Sequence, residues 1–114
     1  MTDIAYKVVT ADEWRVAVAE GRYEGSAVDL ADGYIHMSTE EQLAETLRKY
    51  YAGQPDLLML SVDLSRFDDD LVWEPARGGA LFPHLYAPLP VAAVTASRAL
   101  SVTTDGEIIF KDAV

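Results

Sequence analysis

Leu57-Leu58-Met59-Leu60-Ser61-Val62 is the densest apolar run in the chain, and it is apolar at both odd and even positions. Side chains of a strand alternate between two faces. A strand over these residues presents carbon to both sides and reads as the central strand of a covered sheet. The run falls far short of the roughly 18 residues a membrane-spanning helix needs.

The other segments are read around that strand. Ile4 to Val9 is apolar and β-branched, a first strand. Thr10, followed three residues later by Glu13, is a capping box and predicts a helix. Trp14, Ala17 and Val18 recur at helical spacing to give it a buried stripe, and Gly21 ends it. Residues 22–31 show no period and read as irregular, up to a turn at Asp32-Gly33. Tyr34 to Ser38 reads as a short strand, with Tyr34, His36 and Ser38 on one face and Ile35 and Met37 on the other. Ser38 and Glu41 predict a second capping box, opening a helix with Leu43, Leu47, Tyr50 and Tyr51 on one face. Gly53 and Pro55 stop it. Asp63 to Asp70 reads as an acidic surface connection. Leu71 to Glu74 reads as a strand with Leu71 and Trp73 facing one way, Val72 and Glu74 the other. Arg77-Gly78-Gly79 is a turn, and Pro83, Pro88 and Pro90 keep Ala80 to Pro90 extended rather than helical. Val94 to Val102 and Ile108 to Lys111 read as strands flanking the hairpin signal Asp105-Gly106. The sum is one α+β domain over residues 1–114, with about five to seven strands and two main helices.

Composition narrows the partners. Apolar residues make up 50% of the chain and charged residues 25%, the balance of a globular protein. Nineteen acidic residues against nine basic ones leave a net charge of −10. Such a body repels phosphate backbones and anionic lipid, so neither nucleic acid nor a membrane surface is an expected partner. With no cysteine there is no disulfide, thiolate metal site or cysteine nucleophile. The first thirty residues mix apolar and charged types with no basic start and apolar core, so no signal peptide is read and the cytoplasm is the default compartment.

Nucleotide-binding glycine motifs, a phosphate loop, His-Glu-x-x-His and Gly-x-Ser-x-Gly are all absent from the sequence. Candidate chemistry starts from the two histidines. His36 sits in an otherwise apolar strand, where imidazole is costly without partners. It is either a structural residue bonded to a carbonyl or a pocket-lining acid or base. His84 lies in Phe82-Pro83-His84-Leu85-Tyr86, where stiff backbone would hold His84 and Tyr86 on one side; the alternative is an edge segment that only covers the sheet. Glu74, beside Trp73, is either partly desolvated, which would raise its carboxyl toward acid–base work, or a solvent-facing residue at a strand end. Ser38, at a helix start, offers backbone N–H groups to an anion, with Lys7 and Arg77 as cationic candidates. Asp68-Asp69-Asp70 does not fit a calcium loop. His36, His84 and Glu74 could form a two-histidine, one-carboxylate metal set, but nothing in their spacing brings them together, so no metal is assigned.

Asp32-Gly33-Tyr34-Ile35-His36-Met37-Ser38-Thr39, Trp73-Glu74-Pro75 and Phe82-Pro83-His84-Leu85-Tyr86 together resemble the small bacterial proteins called domain of unknown function 952. The resemblance runs from Tyr6 to Val94. It implies a fold similar to that of ADP-ribosyltransferases, a split α+β sheet with an NAD-binding cleft. It therefore implies a small-molecule ligand, NAD as the cofactor to test, and transfer of ADP-ribose as the activity to test. By position, Lys7 would hold the nicotinamide ribose, His36 and Ser38 fall on the second motif strand, and Glu74 would stabilise developing positive charge. His36, Glu74 and His84 are thus the expected catalytic residues, and Lys7, Ser38, Arg77 and Tyr86 the expected ligand-binding ones. The alternative function is a non-catalytic domain that binds a small molecule or a protein partner, through the cleft or through Phe82–Pro90.

Overall fold

The structure is a computed structural model and describes residues 3–111. Strand β1 (Ile4–Thr10) leads into helix α1 (Ala11–Glu20), then β2 (Arg22–Tyr23), helix α2 (Ala27–Asp32) and β3 (Ile35–His36). Helix α3 (Glu40–Tyr50) is followed by β4 (Leu57–Asp63), β5 (Leu71–Pro75), β6 (Leu81–Leu85), β7 (Leu89–Pro90), β8 (Val94–Val102) and β9 (Ile108–Lys111). The described residues thus hold nine strands and three α-helices. That exceeds the expected count because β2 and α2 form in the stretch read as irregular, and Ala80 to Pro90 holds two strands, β6 and β7.

The main sheet has the order β1-β4-β8-β9, all antiparallel, and β4 is central as its two-sided apolar pattern requires. On one face Val8, Leu57, Leu100 and Val102 pack with Leu43 and Leu47 of α3. On the other, Ala5, Val9, Leu60 and Val62 meet Ala17 of α1, Tyr23, Ile35, Met37, Leu85 and Leu89. Leu47, Leu57, Leu60, Leu85, Leu89 and Leu100 are fully buried. Each contributes about 1.5–3 kcal/mol by leaving water. The α1 stripe is narrower than expected: Ala17 is buried, but Val18 is 53% exposed.

A second sheet has the order β3-β6-β5. The proline segment is therefore its centre, not an edge. Proline lacks the N–H a central strand needs. The ladder tolerates Pro83 because β3 has ended where Pro83 lies, and Pro83 contributes only its carbonyl, accepting from the Met37 N–H at 3.1 Å. One residue on, Ser38 bridges to Tyr6 of β1, with Tyr6 N–H to Ser38 carbonyl at 2.8 Å and the reverse bond at 2.9 Å. Residues 35–38 thus pass from one sheet to the other. They hold the β1 edge against β3 and β6 and leave a cleft alongside.

The cap of α3 is Thr39 with Gln42, one residue later than the Ser38–Glu41 pair expected, because Ser38 is committed to β1. Tyr50 is 60% exposed rather than packed with Leu43 and Leu47. Helix α2 has its own capping box, Ser26 with Asp29, and ends on Gly33 in the left-handed conformation. Its pattern is inverted: Val28 and Leu30 face solvent while Asp29 is buried, so a search for apolar periodicity passes over it.

Candidate functional site

Along the open edge of β1 lies a cavity of about 540 Å³, the size range of small-molecule sites. Tyr6, Lys7, Val8 and Thr10 line it from both faces of β1, as befits a sheet edge. Opposite stand Asp29 and Asp32 of α2, His36, and Phe82 and His84 of β6; Thr46, Tyr50 and Tyr51 close the α3 side. Because Tyr6 turns its backbone to Ser38, Val8 two residues on turns its own toward the same edge. The Val8 carbonyl there accepts from the Tyr51 hydroxyl at 3.2 Å. Burial is the main cause that pushes the Tyr51 phenol up to about 12, with Asp29 and Glu13 adding to it.

Two polar constellations meet at the wall. The first is centred on Asp29. Its Oδ2 accepts from the Lys7 ammonium at 2.8 Å and from the Ser26 N–H at 2.9 Å. Its Oδ1 accepts from the His36 N–H at 3.1 Å and lies 2.6 Å from His36 Nδ1. Burial works to raise this carboxyl. The His36 hydrogen bond, then Lys7 and the Ser26 N–H, outweigh it and hold the carboxyl well below the usual carboxylate range. His36 Nε2 lies 2.9 Å from Asp32 Oδ2. Each ring nitrogen of His36 thus faces a carboxylate, and only an imidazolium can donate to both.

The second constellation is His84 with Glu74 and Tyr86. Glu74 Oε1 lies 2.8 Å from His84 Nδ1 and accepts from the Tyr86 hydroxyl at 2.7 Å. The Tyr86 bond, then the His84 bond, hold the Glu74 carboxyl below its ordinary value. The expectation of a carboxyl raised by Trp73 is therefore corrected. Strand alternation sends the two side chains to opposite faces, and Trp73 packs against the core. The same bond to Glu74 pushes the Tyr86 phenol up to about 12. Tyr34 stacks on His84, ring centroids 4.1 Å apart, and also touches His36 at 4.6 Å and Tyr86 at 5.1 Å. The two imidazoles stand edge to face at 5.5 Å.

His36, Glu74, His84 and Tyr86 therefore converge, as β3 and β6 pair His36 with His84 in register. Within that group His36 and His84 line the cavity, whereas Glu74 and Tyr86 stand behind His84. Lys7 lines the cavity with its charge already committed to Asp29. Ser38 contributes a hydroxyl, 3.0 Å from the Thr46 hydroxyl. It does not present the backbone donors expected of it: its N–H goes to Tyr6, and that of Thr39 goes to Gln42. Arg77 has its backbone in a 3₁₀ turn (Arg77–Gly79), and its side chain lies outside the described residues. Among the described residues no group of three or more histidines and carboxylates is arranged to hold a metal ion. Both ring nitrogens of His36 face carboxylates of its own neighbourhood instead. No helix among them is long and apolar enough to cross a membrane.

Asp29 and Asp32 belong to the site without being candidates from the sequence, and Tyr34, expected only to share the face of His36, stacks on His84. The Ser26-x-x-Asp29 spacing is a capping-box signal that would have located α2 and, with it, Asp29. Nothing local links Asp29 to Lys7, twenty-two residues away.

The crystal structure of protein CC0527 from Caulobacter crescentus is 48% identical to this chain, with a TM-score of 0.87 over 95% of this chain and 93% of that one. The solution NMR structure of the same protein is 50% identical, with a TM-score of 0.80 over 92% and 90%. No curated protein matches the chain. The family model described as protein of unknown function DUF952 matches residues 8–97, and the chain belongs to that family.

Proposed function

We propose that the chain binds a small molecule in the cleft beside β1 and moves a proton on it through His84. One observation carries this reading: a buried imidazole lines a cavity of about 540 Å³ while its Nδ1 is held by a carboxylate outside that cavity. A carboxylate on Nδ1 selects the tautomer with Nε2 as the acceptor. The ring is fixed in orientation, as a general base requires. Glu74 then acts through His84. This differs from the role implied by the family resemblance, in which a late glutamate stabilises developing charge itself.

NAD, with transfer of its ADP-ribose, is the specific ligand the resemblance offers, on a fold similar to that of ADP-ribosyltransferases. The cleft suits the ring end of such a molecule better than its phosphates, because Lys7 is already paired. The protein-partner alternative is less favoured. Phe82, Pro83, His84, Leu85 and Leu89 are buried, which leaves Tyr86, Ala87, Pro88 and Pro90 of that segment to meet a partner.

The test is a titration with NAD and with ADP-ribose, followed by NMR of ring-labelled histidine. Binding in the cleft is expected to move the His84 and His36 ring signals together, and His84→Gln to weaken binding. Ring signals unmoved at millimolar concentrations of both ligands would remove the nucleotide reading.

A further inference from the structure

We infer that the cleft selects an aromatic cation over an aromatic anion of the same size. This rests on the reading of the cleft as a ligand site and names the class of ligand it takes.

The charges on the wall carry the argument. Among the described residues, Glu13, Asp29 and Asp32 line the cavity, against the single ammonium of Lys7. Three carboxylates to one ammonium leave the wall net negative even with a proton on His36. The Lys7 charge is spent at 2.8 Å on Asp29, and both side chains are almost wholly buried, 5% and 2% exposed. It has little field left for an incoming anion. The Asp32 side chain lies 2.9 Å from His36 Nε2 but is still 47% exposed, so an entering ligand meets its carboxylate, unlike the buried Lys7. Low-dielectric walls focus the field of such groups into a cleft. Tyr6, Tyr51 and Phe82 add aromatic rings to the lining, and the faces of such rings attract cations.

A charge series on one ring tests this: benzyltrimethylammonium, benzyl alcohol and benzoate, each titrated into labelled protein at low salt and followed by NMR at the cavity residues. The cation is expected to bind about tenfold more tightly than the alcohol, the usual order for one desolvated charge and a ring face. Benzoate is expected to bind weakest of the three. Asp32→Asn, at a half-exposed position, should cut the advantage of the cation over the alcohol several-fold. Benzoate binding at the same residues as tightly as the cation overturns the inference and leaves the ligand site standing. Unmoved cavity signals with all three probes, as with NAD and ADP-ribose, overturn the ligand site itself and this inference with it.

Discussion

The Asp29 carboxylate accepts from two backbone N–H groups and the Lys7 ammonium and lies against His36 Nδ1, so it fixes α2, β1 and β3 at one point. Removing its charge strands a buried ammonium. Breaking a buried pair costs about 3–5 kcal/mol. Asp29→Asn is expected to lower stability by that order in urea unfolding, and Asp29→Asn with Lys7→Met by clearly less than the sum of the single changes. The carboxyl is held low in the folded chain, so its contribution is complete above the ordinary carboxylate value of about 3.9 and is lost as pH falls below it. Asp29→Asn should remove that part of the acid destabilisation, read as a shallower fall of the urea midpoint below pH 4. At the neighbouring constellation, Glu74→Gln takes away the bond that lifts the Tyr86 phenol to about 12. The Tyr86 titration followed by NMR should then fall back toward about 10. His36 is legible as a candidate because an imidazole inside an apolar strand demands partners, and His84 and Tyr86 because stiff proline-bearing backbone sets them on one side. Asp29 is legible only as the cap partner of Ser26, because its links to Lys7 and His36 lie on elements that no local pattern connects to it.

Helix α2 is six residues long, too short to persist on propensity, and its two large apolar residues face water. It is held at its ends by the Ser26–Asp29 box and by Gly33, and in its middle by the Asp29 network. Two glycines separate these contributions. Gly33 has φ +89° with nothing within 4 Å of an added Cβ, so Gly33→Ala meets conformational cost alone, about 1–2 kcal/mol. Gly25 has φ +126°, and a Cβ there would stand 2.9 Å from the Cβ of Asp29. Gly25→Ala is expected to lower the thermal midpoint clearly more than Gly33→Ala, and to shift the His36 ring signals, which Gly33→Ala should leave in place. Equal midpoints would show that Asp29 can give way without loss. The strands β8 and β9, set off by the hairpin signal Asp105-Gly106, are readable at their true bounds, and β4, a dense apolar run, to within one residue. Helix α2 was not, because its core-facing residue is an acid and its signal lies in the cap.

At the scale of the molecule, the pairing of β1 with β4 and of β3 with β6 is what builds the cleft, and no segment of sequence announces either pairing. What the sequence does announce is charge. A net −10 is carried on a body 36 × 36 × 28 Å in extent, so carboxylates on all sides lie within reach of one another. Exposed pairs such as Arg15–Asp12 and Arg22–Glu24 offset little of this, since such pairs contribute at most about 1 kcal/mol. Raising salt from about 0.01 M to about 0.15 M shortens the screening length from about 30 Å to about 8 Å, from the span of the whole molecule to that of a close pair. Repulsion between distant carboxylates is lost first, and the buried Lys7–Asp29 pair is shielded from the change by its burial. The thermal midpoint is therefore expected to rise over that range, and to rise equally in sodium and tetramethylammonium chloride, because screening does not depend on the identity of the cation. A midpoint that falls with salt would mean that surface attraction outweighs self-repulsion here. A rise with sodium alone would point to a bound ion in place of screening.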